Sequence, residues 1–477
     1  MALIGRRREK AIMESLLQDD KAHMLALIGR RRVGKTFLIR TTYREHIVFE
    51  MTGLKDAPLD QQLLNFTFQF NQFFPKMNPL TGLTEWLTAF QKLTEQIQQL
   101  APTIKPVLFF DELPWIAGKR SGFIEALAHW WNNWASQQNI LLVVCGSAAA
   151  WMIDHIVNAK GGLHNRITKL ITLQPFTLSE TKEFLQSREI KMSNYQIVQL
   201  YMTLGGIPHY LEQLQKGKSA VQNIQEICFN RNGALNSEFD NLYSALFDNA
   251  QNHIAVIKAL ASKSKGLDRK EILSKTNIKD GGWFSSLLTE LETSGFITSL
   301  RPLEKKKKDT LFRLTDEFTL FYLTFMQGKR NTDSNYWIGM SQTQEYKIWC
   351  GYAFENVCAK HISSLKKALG IGGIQAEVSS FLHRKNDKYH KGFQVDLLID
   401  RKDDVLTICE MKFYSDEYKI TSDYAKKIHT RREGMKALNS PKKHVEVVFI
   451  STFGVVDNEQ RSDYVDHDLK MDVLFNH

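Results

Sequence analysis

Gly29-Arg30-Arg31-Arg32-Val33-Gly34-Lys35-Thr36 sets two glycines, a lysine and a hydroxyl at the spacing G-x-x-x-x-G-K-[ST]. Two glycines in such a loop let backbone N–H groups turn inward around phosphate oxygens. Lys35 would then reach the β- and γ-phosphates of a nucleoside triphosphate, and Thr36 would hold Mg²⁺. Arg30, Arg31, Arg32 and Val33 fill the variable positions. The arginines are expected to be solvated, the alternative being added charge beside a nucleotide or a partner. Val107-Leu108-Phe109-Phe110-Asp111-Glu112 ends an apolar run on two carboxylates. Asp111 would orient the shell of a Mg²⁺ ion, and Glu112 would polarise an attacking water. Ile140–Cys145 is a third apolar run, closing on Gly146-Ser147. Ser147 could sense a γ-phosphate or water there, or simply start a helix.

A second set of reactive residues lies near the C-terminus. Asp396 precedes an apolar run, and Glu410 and Lys412 sit inside the next one, a D-x13-E-x-K spacing. Hard carboxylate oxygens suit Mg²⁺, so Asp396 and Glu410 are candidate metal ligands. Lys412 would position or deprotonate a water, and the metal would stabilise charge on a scissile phosphate. Glu355, in an upstream helical pattern, would complete that site.

Each set needs particular elements to hold it. Met24–Ile28 reads as a buried strand before the glycine loop, and Phe37-Leu38-Ile39 begins a helix after it. The helix N-terminus then adds its positive dipole end to the phosphate cradle. Such a loop also calls for an acidic site on a neighbouring strand, the place assigned to Val107–Glu112. Gly392–Asp400 and Val405–Phe413 read as two strands joined by the polar turn 401–404. Period-two alternation puts Glu410 and Lys412 on one face. The following helix carries Tyr424, Lys426, Lys427, His429, Arg431 and Arg432, expected as a DNA-backbone face. Between the two sets, His253–Ala261, Asp268–Ser274 and Trp283–Glu292 read as three helices, the last with Leu287, Leu288 and Leu291 in one stripe. A hairpin follows, from Phe296 to Leu314, with Lys305–Lys308 at its tip. That is the order of a winged helix. Its third helix holds no Lys or Arg between Trp283 and Glu292 and two Glu, which is poor for reading DNA, so DNA contact and a protein-contact role both stay open.

The sequence resembles the P-loop ATPases of the AAA-like and STAND-related group, in particular the prokaryotic archaeal-type ATPase family. Ile4-Gly5-Arg6-Arg7-Arg8-Glu9 is similar to its lead-in, which packs beside adenine. Leu163–Thr168 is similar to a segment containing an Arg, so the resemblance implies that Arg166 acts as a finger or sensor, in cis or from a neighbouring subunit. The family has Gly before that Arg, and here it is Asn165. Leu173–Glu180 resembles the entry to a helical lid, and Leu204–Leu211 the "G-G-x-P-x-Y-L" motif. The comparable proline in STAND switches touches the base, which implies an adenine contact for Pro208, with a structural helix kink as the other reading. The C-terminal region resembles the PD-(D/E)XK nuclease-like domain fused to this family, on the positions of Glu355, Asp396, Glu410 and Lys412. The resemblance thus implies ATP and Mg²⁺ as cofactors and DNA as a partner of the C-terminal domain.

Composition bounds these expectations. The 477 residues are 43% hydrophobic and 24% charged, an ordinary balance for a folded soluble protein. No apolar run approaches the roughly 18 residues of a membrane span, and basic residues interrupt the start of the chain, so neither a membrane anchor nor a secretory leader is expected. Five cysteines without a C-x-x-C pair suggest buried, reduced thiols of a cytoplasmic protein. The net charge is +10. Residues 251–340 hold 15 basic and 10 acidic side chains, while residues 341–477 hold 21 and 20, so half of the excess sits in the winged-helix stretch.

The expected architecture is α/β: a P-loop ATPase core with a parallel sheet over residues 1–172, and a helical lid over 173–245. A winged helix over 246–330 and an α/β nuclease-like domain over 335–477 complete it. The expected function is a Mg²⁺-dependent ATPase whose nucleotide state gates a DNA nuclease-like domain. The rival is an ATP-switched DNA-binding or protein-assembly regulator with a silent nuclease fold. A homo-oligomer stays open in either case.

Overall fold

The computed structural model describes residues 3–476 apart from residues 77, 101–103, 119, 248, 302–308, 330–334, 384–391 and 439–442. The lysines expected at the hairpin tip, Lys305–Lys308, lie outside the described residues. The chain divides into two compact units, Met1–Pro175 and Phe176–His477.

The first unit is built on five parallel strands: β1 (His23–Ile28), β2 (Ile47–Thr52), β3 (Val107–Asp111), β4 (Leu141–Gly146) and β5 (Lys169–Thr172). Their order across the sheet is β2-β3-β4-β1-β5. Every residue of β1, β3 and β4 is buried. Covered on both faces, these strands read as unbroken apolar runs and not as alternation. One face packs against the helices Leu59–Phe73, Trp86–Ile97 and Phe123–Asn133 through a network of rings. Trp86 meets Phe123 edge-on at 4.8 Å, and Phe90 stacks on Trp130 at 5.2 Å. The indole N–H of Trp130 donates to Thr94 Oγ1 at 2.8 Å, so the polar edge of that ring is satisfied inside the apolar layer.

The expectation that Asp111 sits on the strand next to the glycine loop is corrected. β4 lies between β1 and β3, pairing in parallel with both. Strand order in a parallel sheet is set by crossover connections of a dozen residues or more, so adjacency in the chain does not fix it.

The second unit begins with helices. Leu178–Ser187 starts with a capping box in which Thr177 and Glu180 satisfy each other's backbone donors. Asn194–Leu204 ends at Gly205-Gly206, which have φ of 67° and 66°. A Cβ on Gly206 would lie 2.2 Å from the Phe176 carbonyl oxygen. Pro208 then opens the short helix Pro208–Leu211 as its first residue, so it starts a helix and does not kink one.

After the helices Ala220–Ile224 and Glu238–Leu246 come three more, Ala250–Ala261, Arg269–Thr276 and Gly282–Thr293, with the short strand β6 (Leu267–Asp268) after Ala250–Ala261. The hairpin strands β7 (Ile297–Leu300) and β8 (Leu311–Leu314) join β6 in the order β6-β8-β7. Leu287, Leu288 and Leu291 are buried, as their spacing predicts.

The last sheet has five strands: β9 (Ala376–His383), β10 (Phe393–Arg401), β11 (Val405–Lys412), β12 (His444–Ser451) and β13 (His467–Lys470). β9, β10 and β11 form an antiparallel meander. β12 returns parallel to β11 after the helix Ser422–Leu438. That helix buries Ala425, Ile428 and Met435 against Leu398, Leu406, Ile408 and Phe449. Among the described residues no helix is long and apolar enough to cross a membrane. The five cysteines are free and buried.

Gly206→Ala should cost about 2–4 kcal/mol, because it adds both a left-handed backbone penalty and a clash with a carbonyl. Urea unfolding checks this, and a midpoint equal to the parent's would contradict the close approach.

Candidate functional site

The glycine loop joins β1 to the helix Lys35–Thr42, whose N-cap is Gly34 with φ of 91°. Gly29 has φ of 154°, and a Cβ there would lie 2.5 Å from the Leu173 carbonyl oxygen. The first glycine is thus required by packing inside the unit as well as by the turn. Lys35 is buried, and its Nζ donates to the carbonyls of Gly29 at 2.8 Å and Arg30 at 3.1 Å. The ammonium is thus held by two carbonyls of its own loop. Arg30 is only 5% exposed, which corrects the expectation of a solvated side chain; Arg31 and Arg32 are partly buried. Val33 is buried and Phe37 is exposed. Arg6, whose importance the lead-in motif alone did not explain, donates from Nη2 to the Val33 carbonyl at 3.2 Å and so braces the loop from outside.

Thr36 Oγ1 donates to Asp111 Oδ2 at 2.6 Å, across the gap made by β4. Asp111 is buried and also accepts the Glu112 N–H through Oδ1 at 2.9 Å. Glu112 has φ of 47°. This left-handed conformation costs of order 1 kcal/mol for a residue with a side chain and is characteristic of functional turns. Its Oε2 accepts the Ser147 N–H at 3.0 Å and the Ser147 hydroxyl at 2.8 Å. Ser147 therefore does not cap a helix: the N-cap of Ala149–Met152 is Ala148. The ends of β3 and β4 thus bring Asp111, Glu112 and Ser147 together beside Thr36.

Arg166 is exposed, and Asn165 before it has φ of 55°. That conformation favours glycine, and asparagine is among the few other residues that tolerate it, so the departure from the family pattern keeps the backbone. Pro208 belongs to the second unit.

The C-terminal set gathers around the ends of β10 and β11. Between Val395 and Leu398 the pairing with β9 gains one residue, so Asp396 sits in a bulge. Bulges re-aim side chains beside functional sites. No glycine within the strand signals this one. Asp396 accepts a hydrogen bond from Gln394 Nε2 at 2.7 Å. Glu410 is 6% exposed. Its Oε2 accepts the Tyr424 hydroxyl at 2.7 Å, and its Oε1 pairs with Arg431 Nη1. Tyr424 and Arg431 lie on the buried side of their helix with Ile428, at i, i+4 and i+7. This corrects the expected DNA-backbone face: two of its six members turn inward, Arg432 pairs with Asp466, and Lys426, Lys427 and His429 remain exposed.

Lys412 holds its Nζ 4.7 Å above the Tyr424 ring. Burial lowers its pKa from the ordinary lysine value, while the charges of Glu410, Glu355 and Asp396 oppose that shift. Glu355, on the helix Gln344–Lys360, pairs with Arg313 of β8 at 3.0 Å. Burial first, then repulsion from Asp396, pushes its pKa up from 4.5 to about 7, although Arg313 and Lys412 pull it down. The four residues spaced across 58 positions of sequence therefore act on one another electrostatically.

The donor chemistry fits Mg²⁺ in both places. Thr36 and Asp111 offer a hydroxyl and a carboxylate at bonding distance of each other. Asp396 and Glu410 offer carboxylates. Among the described residues no three His, Cys, Asp or Glu side chains converge closely enough to hold a metal by themselves.

Residues 3–214 match a family described as an ATPase domain predominantly from Archaea. An uncharacterized protein of Methanocaldococcus jannaschii is 20% identical over 407 residues, covering 83% of each chain. A Walker-type ATPase of Pyrococcus abyssi is similar at 17% identity and a TM-score of 0.44, over 67% of this chain and 96% of that one. The Aeropyrum pernix ORC2 protein is similar at 15% identity and a TM-score of 0.40, over 69% of this chain and 95% of its own. Over residues 3–214 the chain is thus similar to an ATPase domain of the archaeal type.

Because Glu355 holds its proton to about 7 when folded and to about 4.5 when unfolded, its contribution to stability is complete below 4.5 and lost as pH rises through 7. Glu355→Gln cannot titrate and should flatten the fall in stability between pH 4.5 and about pH 7. Urea midpoints with the same pH slope in both proteins would refute the raised pKa.

Proposed function

We propose that the chain binds and hydrolyses ATP with Mg²⁺, and that its nucleotide state gates a C-terminal site of the PD-(D/E)XK type that hydrolyses phosphodiester bonds in DNA. One observation carries the second half. A bulge on β10 and the end of β11 set Asp396, Glu410 and Lys412 together, with Glu355 of a neighbouring helix within electrostatic reach.

At the first site Lys35 would exchange two carbonyls for the β- and γ-phosphates, a charge-assisted contact stronger than the one it leaves. Thr36 and Asp111 would hold Mg²⁺, which would supply positive charge against the phosphates. Glu112, fixed by Ser147, would orient the attacking water and accept its proton. Arg166, exposed after a left-handed turn, is free in conformation to act as a finger in cis or from a second copy. Pro208 is assigned to the adenine.

At the second site Asp396 and Glu410 would hold a metal ion, which would supply charge to polarise a scissile phosphate. Lys412 has a proton affinity lowered by burial, which suits a group that positions a water and takes its proton. The three helices and the β6-β8-β7 sheet would form a winged helix, serving either DNA contact or protein contact.

A second reading keeps the fold and silences the chemistry. It rests on Glu410, whose two oxygens are already taken by Tyr424 and Arg431. A site locked this way would bind nucleic acid without cutting it.

Lys35→Ala should weaken ATP binding roughly 30-fold or more. Calorimetry reads this directly, and unchanged ATP affinity would remove the phosphate loop from the account. Lys412→Ala should lower Mg²⁺- or Mn²⁺-dependent cleavage of supercoiled, linear or branched DNA by about 100-fold or more. If parent and variant behave alike with and without ATP, the silent reading replaces the catalytic one.

A further inference from the structure

The module of three helices and the β6-β8-β7 sheet carries its charges unevenly. The five carboxylates between residues 250 and 300 are all engaged inside it. Asp268 and Glu271 satisfy each other's backbone donors in a capping box, and Glu271 also pairs with Lys263 at 2.7 Å. Asp280 accepts from Arg269 Nε at 3.0 Å. Glu290 lies 2.7 Å from His253 Nε2, and Glu292 accepts the Ser299 N–H at 2.8 Å. The two acids that count against DNA contact in the sequence of the third helix are thus each taken by a group of the module.

The cations are not matched in the same way. Lys258, Lys265, Lys270, Lys275 and Lys279 are exposed and have no acidic partner among the described residues. Lys270 and Lys275 stand on the helix Arg269–Thr276, and Lys279 lies in the turn from it to Trp283. Arg269 fixes that helix to the next. Besides its contact with Asp280, it donates to the Ser285 hydroxyl at 3.1 Å and lies 4.7 Å above the Phe284 ring. Trp283 is 52% exposed, and no other large apolar side chain between residues 250 and 300 faces water to that degree. It meets no other ring among the described residues. An indole in a folded protein usually hides most of its surface.

A field of unpaired lysines fits a polyanion. An acidic protein surface suits it less, because the centre of a protein interface is apolar and Trp283 alone would supply one here. A nucleic-acid backbone presents its charge without an apolar core. Base edges in a groove are read best by Arg, Asn or Gln, and the helix Gly282–Thr293 has none of them. Its Ser285, Ser286 and Thr289 hydroxyls donate back to the carbonyls of Gly281, Gly282 and Ser285. The face is therefore not built to read sequence. A bare indole among cations stacks on a base whose ring is open to it, and a closed duplex offers no such base. We propose that this face binds DNA without sequence preference at a duplex end or junction, with Lys270, Lys275 and Lys279 on the backbone and Trp283 on the terminal base. Of the two roles left to the module, DNA contact is the one these residues serve. The choice of DNA over RNA rests on the function proposed above; the lysines and the indole fit either.

The test uses the full chain in a chelating buffer, so that neither metal nor cleavage takes part. Binding of a labelled forked DNA duplex is followed by fluorescence anisotropy. Unlabelled fork should compete at least about fivefold better than relaxed closed-circular DNA at equal base-pair concentration. Lys270→Ala, Lys275→Ala and Lys279→Ala together should weaken the fork about tenfold or more and lower the salt slope of log affinity by about 2 or more. Trp283→Ala should weaken the fork about tenfold, Trp283→Phe should recover most of that loss, and neither should change closed-circle binding by more than about twofold. All four positions are exposed, so the fold does not depend on them. No DNA binding, or an affinity and slope unchanged by the triple variant, overturns the surface. Fork and closed circle binding alike, or Trp283→Ala weakening both alike, overturns the stacking. Polyglutamate competing as well as the fork at equal charge overturns DNA in favour of an acidic protein. An RNA fork bound more tightly than the DNA fork overturns the choice of DNA. Cleavage is assayed separately with Mg²⁺: its absence overturns the phosphodiester reading, while the binding face is judged on the anisotropy.

Discussion

A carboxylate taken out of water must be met by a donor or a cation, and both candidate sites are organised by that requirement. Asp111 is met by Thr36, Glu112 by Ser147, Glu355 by Arg313, and Glu410 by Tyr424 and Arg431. In each case the partner comes from a different element than the acid. The pairings therefore fix strand ends and helix faces against one another more precisely than apolar packing would. They also define what a substrate must displace. On the proposed function, a phosphate or a metal ion would enter by taking over an interaction that already exists.

The two units meet this requirement differently. In the first, the partners of the acids are neutral hydroxyls and backbone donors, which can share an acid with a hydrated cation. In the second, two arginines hold Glu355 and Glu410 as ion pairs. Breaking a buried ion pair by removing one partner is worth several kcal/mol, whereas a hydroxyl contact is worth about 1 kcal/mol. The contacts of the first site are therefore the weaker to displace, and those of the second the stronger.

How far the sequence reveals this depends on the kind of constraint. The phosphate loop is legible because one short segment carries its glycines, its lysine and its hydroxyl, and each type has a separate physical reason. Buried strands such as Val107–Asp111 are legible because parallel sheets need continuous apolar runs. The placement of β4 between β1 and β3 is not, because crossovers of any length satisfy the same local pattern. Arg30 looked like a surface residue because arginine usually is one, and the fold buried it. Tyr424 and Arg431 looked like a basic surface because the helix was counted by its charges; its 3.6-residue period, applied from Ile428, would have turned both inward. The bulge at Asp396 and the pairing of Arg313 with Glu355 depend on tertiary register, which leaves no mark in a single sequence.

The strand order of the first unit also has a consequence in time. His23 at the start of β1 pairs with Leu141, about 120 residues downstream, and Leu25 pairs with Lys169. During synthesis the strand that leads into the phosphate loop emerges early and waits, both edges open, until nearly the whole unit has left the ribosome. Its sequence, Met24-Leu25-Ala26-Leu27-Ile28, is the apolar, uncharged kind that pairs readily with the wrong edge. Maturation of this chain therefore has a vulnerable interval built into its topology, ended by β4 and β5 closing on either side of β1.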